Sequence, residues 1–194
     1  MEMKMQKVLS AINLRKLVIN AFIVFIIPVS FGFSQNINAY HFMLNEFLEF
    51  NDKGKIELLQ EVDLSIAWID YLEDTAFIHN AFRHVFTNES IEGLIAQINL
   101  SEAKELIRST TEFTWERKKL NHTYKLRKKI SEKGLTYKYS IPIIDNEICI
   151  LRVKSFDSVN NIGDYIYIMK KNEKNQWPTA CILIIHEMFP DYGY

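Results

Sequence analysis

Four ionisable side chains in this 194-residue sequence have the types that hydrolytic chemistry uses. Asp63 and Asp70 stand seven residues apart, close to two helical turns, so on a helix they share one face. Two facing carboxylates cleave glycosidic bonds, one as general acid and the other as base or nucleophile. His186-Glu187 opens like the zinc-protease signature H-E-x-x-H, but Met188-Phe189-Pro190 follows and the second His is missing. What remains is a His–carboxylate couple. The catalytic candidate is thus a site assembled in space from His186, Glu187, Asp63 and Asp70. The competing reading of the carboxylates is a solvated acidic face.

Other chemistries lack their residues. The five histidines are His41, His79, His84, His122 and His186. His79 and His84, five apart, point about 140° from each other on a helix. No Cys pair has zinc-like spacing, and no Asp-rich calcium loop occurs. The six glycines are scattered, with no Walker A, no GxGxxG and no GxSxG elbow. The expectation is no metal and no cofactor. Cys149 and Cys181 sit in the apolar runs ICIL and ACIL, whereas a reactive thiol needs exposure and a cationic neighbour.

Ligand binding has its own candidates. Aromatic residues crowd the region from Phe42 to Phe86, at spacings that suit a core. Trp68, Tyr71 and Trp115 become ligand-binding candidates if they line a cleft between helices and sheet. The basic stretch from Arg117 to Lys133, with Tyr124 inside it, resembles a nucleic-acid surface in composition. The formal net charge of −1 argues against that partner. A solvated edge, or contact with an anionic glycan or lipid, suits the stretch better.

The apolar period predicts the elements that must carry these groups. Tyr40, Leu44, Phe47 and Leu48 make residues 38–51 an amphipathic helix that Asn38 could cap. Ile56, Leu59, Val62, Ile66 and Ile69 predict a second helix over 55–72. Residues 74–87 predict a third, with a break near Glu73 to Thr75, and 90–98 a short fourth. Ser101 reads as the cap of a helix running to about Arg117. Then the period changes to two. Residues 122–130 read as a Lys-studded edge strand, and 137–144 as a strand in which Pro142 marks an edge or bulge. Strands over 148–156, 165–169 and 179–189 follow, joined by short turns.

The fold class expected is α+β. Helices over 38–118 pack on one face of a curved antiparallel meander of four to five strands formed by 122–189. In that meander Phe156 pairs near Asp164 and Lys171 near Thr179. Cys149 and Cys181 then share a face two strands apart, about 9.6 Å, beyond disulfide reach. Two free thiols are expected.

The N-terminus predicts export. Lys4, Lys7, Arg15 and Lys16 precede a 13-residue apolar run, Leu17 to Val29, and small residues follow at Ser30 to Gln35. That order is a secretory signal peptide, too short and too interrupted by Pro28 for a stable span. Cleavage near Ser34 to Asn36 divides the chain into a signal, 1–35, and one domain, 36–194. It removes four of the 23 basic and one of the 24 acidic residues, leaving a charge of −4.

Several words of the C-terminal half occur together. They are the Ser101 helix, the Trp115 segment, YSIPI at 139–143, ICIL at 148–151, YIYIMKK at 165–171 and Trp177 after a polar turn. Their order resembles a set of uncharacterised exported proteins of Bacteroidetes type, and so does FSQN at 33–36. The resemblance implies a periplasmic or secreted bacterial protein and carries no activity. With no catalytic signature complete, the function expected is a non-catalytic binding or interaction module. Its partner would be a protein, a glycan or a small apolar ligand, and not nucleic acid. The alternative is a secreted hydrolase built on the His–carboxylate set.

Overall fold

The computed structural model describes residues 37–51, 56–121, 124–158 and 160–187. The expected signal at 1–35, His122 and the 188–189 end of the last strand lie outside these residues. The fold is α+β, with mainly N-terminal helices and an open, mostly antiparallel sheet. Its elements are α1 (Ile37–Asn51), β1 (Glu57–Leu59), α2 (Ala67–Glu73), α3 (Thr75–Asn80), β2 (Phe82–Val85), α4 (Ile91–Ile95) and α5 (Leu100–Ser109). A 3-10 turn (Arg117–Lys119) leads to β3 (Lys125–Arg127), β4 (Leu135–Tyr139), β5 (Ile143–Asp145), β6 (Ile148–Asp157), β7 (Asn160–Lys170) and β8 (Thr179–Glu187).

The sheet is larger than the expected four to five strands. Eight strands run in the order β2-β8-β7-β6-β4-β1-β3, with β5 also paired to β6. The expected meander is its centre, β6-β7-β8. One addition is the break of the expected strand 137–144 into β4 and β5, and two come from the half expected to be helical. Residues 57–59 insert as β1, parallel to both β3 and β4, and 82–85 pair with β8 as β2. So the helix expected over 55–72 survives only at 67–73, and that over 74–87 only at 75–80. Short apolar runs satisfy either period, and the sheet's open edges decided these two. Helix α5 likewise stops at Ser109, not Arg117, because Thr110 turns its hydroxyl back onto the Leu106 carbonyl at 2.8 Å.

Capping fixes the helix starts. Asp74 accepts from the amides of Ala76 and Phe77 at 2.9 and 3.1 Å, which makes the break expected near residue 74. Asn99, not Ser101, caps α5 by accepting from Glu102 N–H. The Asn99 amide itself donates to Asp145, so the cap also ties α5 to the β5–β6 turn. Asn38 lies within α1.

The helices do not lie on one face. Residues 148–153 are buried without a gap, as a strand covered on both sides must be. On one side Cys149, Leu151, Val153 and Met169 pack with Tyr40, Leu44, Phe47 and Leu48 of α1. On the other side Ile148, Ile150, Ile166, Ile168 and Leu183 pack with apolar residues of α2 to α5. Pro142 falls in the break between β4 and β5, where a strand partner is not needed. There Ser140 bridges the ladder, donating its N–H to Arg152 O and accepting Arg152 N–H on Oγ.

The register also revises the cysteine geometry. Cys149 faces Met169, and Cys181 faces Ile168, its neighbour of opposite phase. The two free thiols therefore lie on opposite faces, in separate cores. The expected register was displaced on both sides of β7, and an odd displacement flips a strand's faces. Burial pushes the Cys181 thiol up to about 11 and raises that of Cys149 as well. The expected outcome is that a thiol reagent labels neither cysteine in the folded protein and both after denaturation. An intact mass showing a disulfide would contradict this arrangement.

Candidate functional site

The densest set of charged side chains with restricted access surrounds Arg152. This residue sits in β6 at the phase that faces α2 to α5, between Ile150 and Lys154. Asp164 of β7 shares that phase, one register step away. Arg152 grips it with a two-pronged bond, Nε to Oδ1 at 2.8 Å and Nη2 to Oδ2 at 2.6 Å. Its remaining prong, Nη1, donates to Ser65 Oγ at 2.8 Å and reaches Asp63 Oδ2 at 3.3 Å. Lys154 Nζ lies 3.0 Å from the same Asp63 oxygen. The other oxygen, Oδ1, accepts from Ser65 N–H at 3.1 Å. Two carboxylates thus meet two cations, all within a few ångströms.

The extended segment 61–65 delivers Asp63. Its amide donates to Tyr139 O at 2.8 Å, and Asp63 bridges Ser140 in parallel. Arg152, Asp63 and Asp164 are 8%, 7% and 5% exposed. Burial alone would raise the Asp63 carboxyl. Bonds from Ser65 N–H and Lys154, with the charges of Lys154 and Arg152, outweigh it and hold Asp63 below the usual carboxylate range. A guanidinium forked onto a carboxylate is strong because both bonds are charge-assisted and geometrically fixed.

The four catalytic candidates are therefore not brought together as a set. Asp63 is in the cluster. His186 is the register partner of Asp164 on β8 and is exposed. Asp70 is elsewhere, on α2, where Lys104 lies 2.7 Å from it and also pairs with Glu73. Asp63 is extended and not helical, so the shared helix face does not form. The Glu187 side chain is outside the described residues. Sequence reasoning missed Arg152 and Asp164. Their signal was an Arg and an Asp at the inward phase of two otherwise apolar strands.

The aromatic candidates lie mostly inside. Trp68 and Trp115 are fully buried, each in a different core. Tyr71 is 39% exposed and packs against Phe77, ring centres 4.8 Å apart. Trp115 instead belongs to a ring cluster with Phe113 and His41 at 5.0 and 5.3 Å. His41 Nδ1 is 2.8 Å from Ile37 O, and Nε2 accepts from Glu116 N–H at 2.9 Å. A neutral ring with its proton on Nδ1 satisfies both bonds. Burial lowers its pKa, and Lys119 adds to this, against the Ile37 bond and Glu116.

The described residues form a depression of 280 Å³ beside His41 and Lys119 and two larger ones. One, of 420 Å³, runs between segment 61–65 and segment 111–114, with Lys138 beside it. Glu61, Asp63, Ser65, Glu112 and Phe113 line it, so Asp63 and Ser65 bring the edge of the cluster to one of its walls. Lys138 pairs with Glu61 at 2.6 Å. The other, of 510 Å³, follows the basic loop 127–133. There Arg127 is held by Glu57, whose carboxyl those bonds pull down to about 2. Among the described residues no group of His, Cys, Asp and Glu is arranged to hold a metal ion. No described helix is long and apolar enough to cross a membrane.

No family model, curated protein or solved structure matches the chain.

The cluster makes an energetic prediction. Arg152→Met leaves two buried carboxylates short of their counter-charge, and loss of one partner of such a pair costs about 3–5 kcal/mol. Urea unfolding measures it. The pH dependence follows in sign. Asp63 is depressed, so its contribution is present above the ordinary carboxylate range and is lost as pH falls through its folded value. His41 is also depressed, so its contribution is present above about pH 6.5 and is lost on acidification. Stability is thus expected to fall in two stages as pH drops, and Asp63→Asn is expected to shrink the lower one, which Glu57 shares.

Proposed function

We propose that this chain is an exported, non-catalytic module that binds through the 420 Å³ groove beside the Arg152 cluster. The observation that carries the reading is how the cluster's charges are committed. Both Asp164 oxygens and all three guanidinium nitrogens bond within the cluster, so it holds its edge of the groove rigid. The groove's other polar groups are Glu112 and the hydroxyls of Thr111 and Thr114, set beside the Phe113 ring, which Trp115 and His41 hold from behind. Carboxylate, hydroxyls and an aromatic ring together suit a hydroxyl-rich ligand such as an oligosaccharide. Export is supported by the basic segment and 13-residue apolar run at the N-terminus.

The second reading, a secreted hydrolase, is favoured by one fact. His186 stands opposite Asp164 on the neighbouring strand. The two readings separate in one experiment. Calorimetric titration against neutral and acidic oligosaccharides is run beside turnover of nitrophenyl esters and glycosides. The expected result is saturable binding without turnover. Phe113→Ala and Glu112→Lys are expected to weaken it at least about tenfold, with His186→Ala unchanged. Turnover that His186→Ala abolishes would instead establish the hydrolase.

Export is checked separately. The protein recovered from outside the cytoplasm of a bacterial host is expected to begin between Gln35 and Ile37. An intact Met1 would contradict cleavage.

A further inference from the structure

The sheet has two unlike edges. At one end β3 carries Lys125 and Arg127, and Lys128 and Lys129 follow directly. A charged edge of this kind repels a second strand. At the other end β2 reads Phe-Arg-His-Val and runs on into Phe86. It has no lysine and no proline. Val85 is 45% exposed and Phe86 is 65% exposed, the largest value among the exposed large apolar residues described.

The backbone direction on β2 follows from its ladder. Phe86 N–H donates to Ala180 O at 2.8 Å, in the register that sets His84 against Ile182 and Phe82 against Ile184. Backbone groups alternate along an antiparallel strand, so residues 82, 84 and 86 spend theirs on β8. The N–H and C=O of Arg83 and Val85 therefore point away from the sheet. No described strand lies on that side. The Arg83 guanidinium is tied back to Ile78 O at 3.0 Å.

We propose that β2 pairs with β2 of a second copy of this chain, antiparallel, about a two-fold axis at His84. In this register Arg83 faces Val85 of the second copy and exchanges both backbone bonds with it, and the symmetric pair does the same. No Arg or Lys stands directly opposite another, and the two Arg83 side chains are diagonal neighbours, each guanidinium tied back to Ile78 O of its own copy. Charge selects this occupant over the alternative contact between copies. Pairing β2 with β3 of another copy would set Arg83 beside Lys125 and Arg127, and such a head-to-tail contact would propagate. Like charges across a ladder disfavour it. The self-complementary pair closes as a dimer and leaves the basic edge outside. This interface is distinct from the oligosaccharide groove and does not depend on it.

Sedimentation velocity across a concentration series tests the proposal. A reversible monomer–dimer equilibrium is expected. Val85→Glu puts a carboxylate opposite Arg83 of the second copy, twice per dimer, and is expected to tighten association about fivefold. Val85→Lys is expected to weaken it by about the same factor. A mere loss of apolar surface would weaken both alike. His84→Cys brings two thiols face to face in a non-hydrogen-bonded pair with Cα atoms about 4.5 Å apart, within disulfide range. Oxidation is expected to give a covalent dimer on a non-reducing gel, and Lys125→Cys is not. A protein that stays monomeric throughout overturns the proposal and leaves β2 to a strand of another protein. A dimer that ignores both Val85 variants and does not cross-link through position 84 overturns it equally.

Discussion

The Arg152 guanidinium is the constraint on which the arrangement of the sheet face depends. A charge this well buried is tolerable only if its hydrogen-bonding positions are met by fixed partners. Asp164 meets two of them from the adjacent strand, which pins β6 to β7 through side chains as well as backbone. Asp63 and Ser65 meet the third from a segment nearly ninety residues earlier in the chain. That contact holds the run between β1 and α2 in an extended form against Tyr139 and Ser140. Replacing the set with apolar residues could be energetically neutral, but removing one member is not. The network specifies which segment lies over this part of the sheet.

A second constraint is the two-sided burial of β6 and β7. Strands with continuous apolar runs must be covered on both faces. The chain does this with one long helix, α1, on one side and four short helices on the other. His41 anchors the first of these layers. Its Nε2 ties α1 to the strand-like segment ending at Glu116, its Nδ1 bonds within α1 to Ile37 O, and Trp115 lies edge-on beside it. Lys104, bridging Asp70 and Glu73, does a lighter version of this on the other layer, between α5 and α2. That bridge is largely solvent-facing on its acidic side and contributes little.

The sequence and the structure agree where a segment carries one strong period over many residues. Helix α1 and strands β6, β7 and β8 are of that kind, and Leu44, Leu48, Ile150 and Leu183 are buried as their spacing requires. Agreement fails where segments are short. Glu57–Leu59 and Phe82–Val85 carry three or four residues of pattern, compatible with helix or strand, and the pairing partner decided. The candidate site was legible in part for the same reason. Asp63 was a candidate through its seven-residue spacing from Asp70, a helical reading that the extended segment does not fulfil. Its partners lay on strands distant in sequence, and no local pattern joins Asp63 to Arg152 and Asp164.

The amino-acid sequence by itself determined the fold class, the change from helices to strands, the Lys-rich edge at β3 and the apolar character around both cysteines. These are local properties, set by composition and period. Only the tertiary structure decided the strand register, and with it which face each residue takes. An odd displacement between β7 and β8 separated Cys149 from Cys181 across the sheet, while the β6–β7 pairing set Arg152 and Asp164 on the same layer as Asp63. Register is a long-range choice, made by the best joint packing of two faces, and no segment carries it alone.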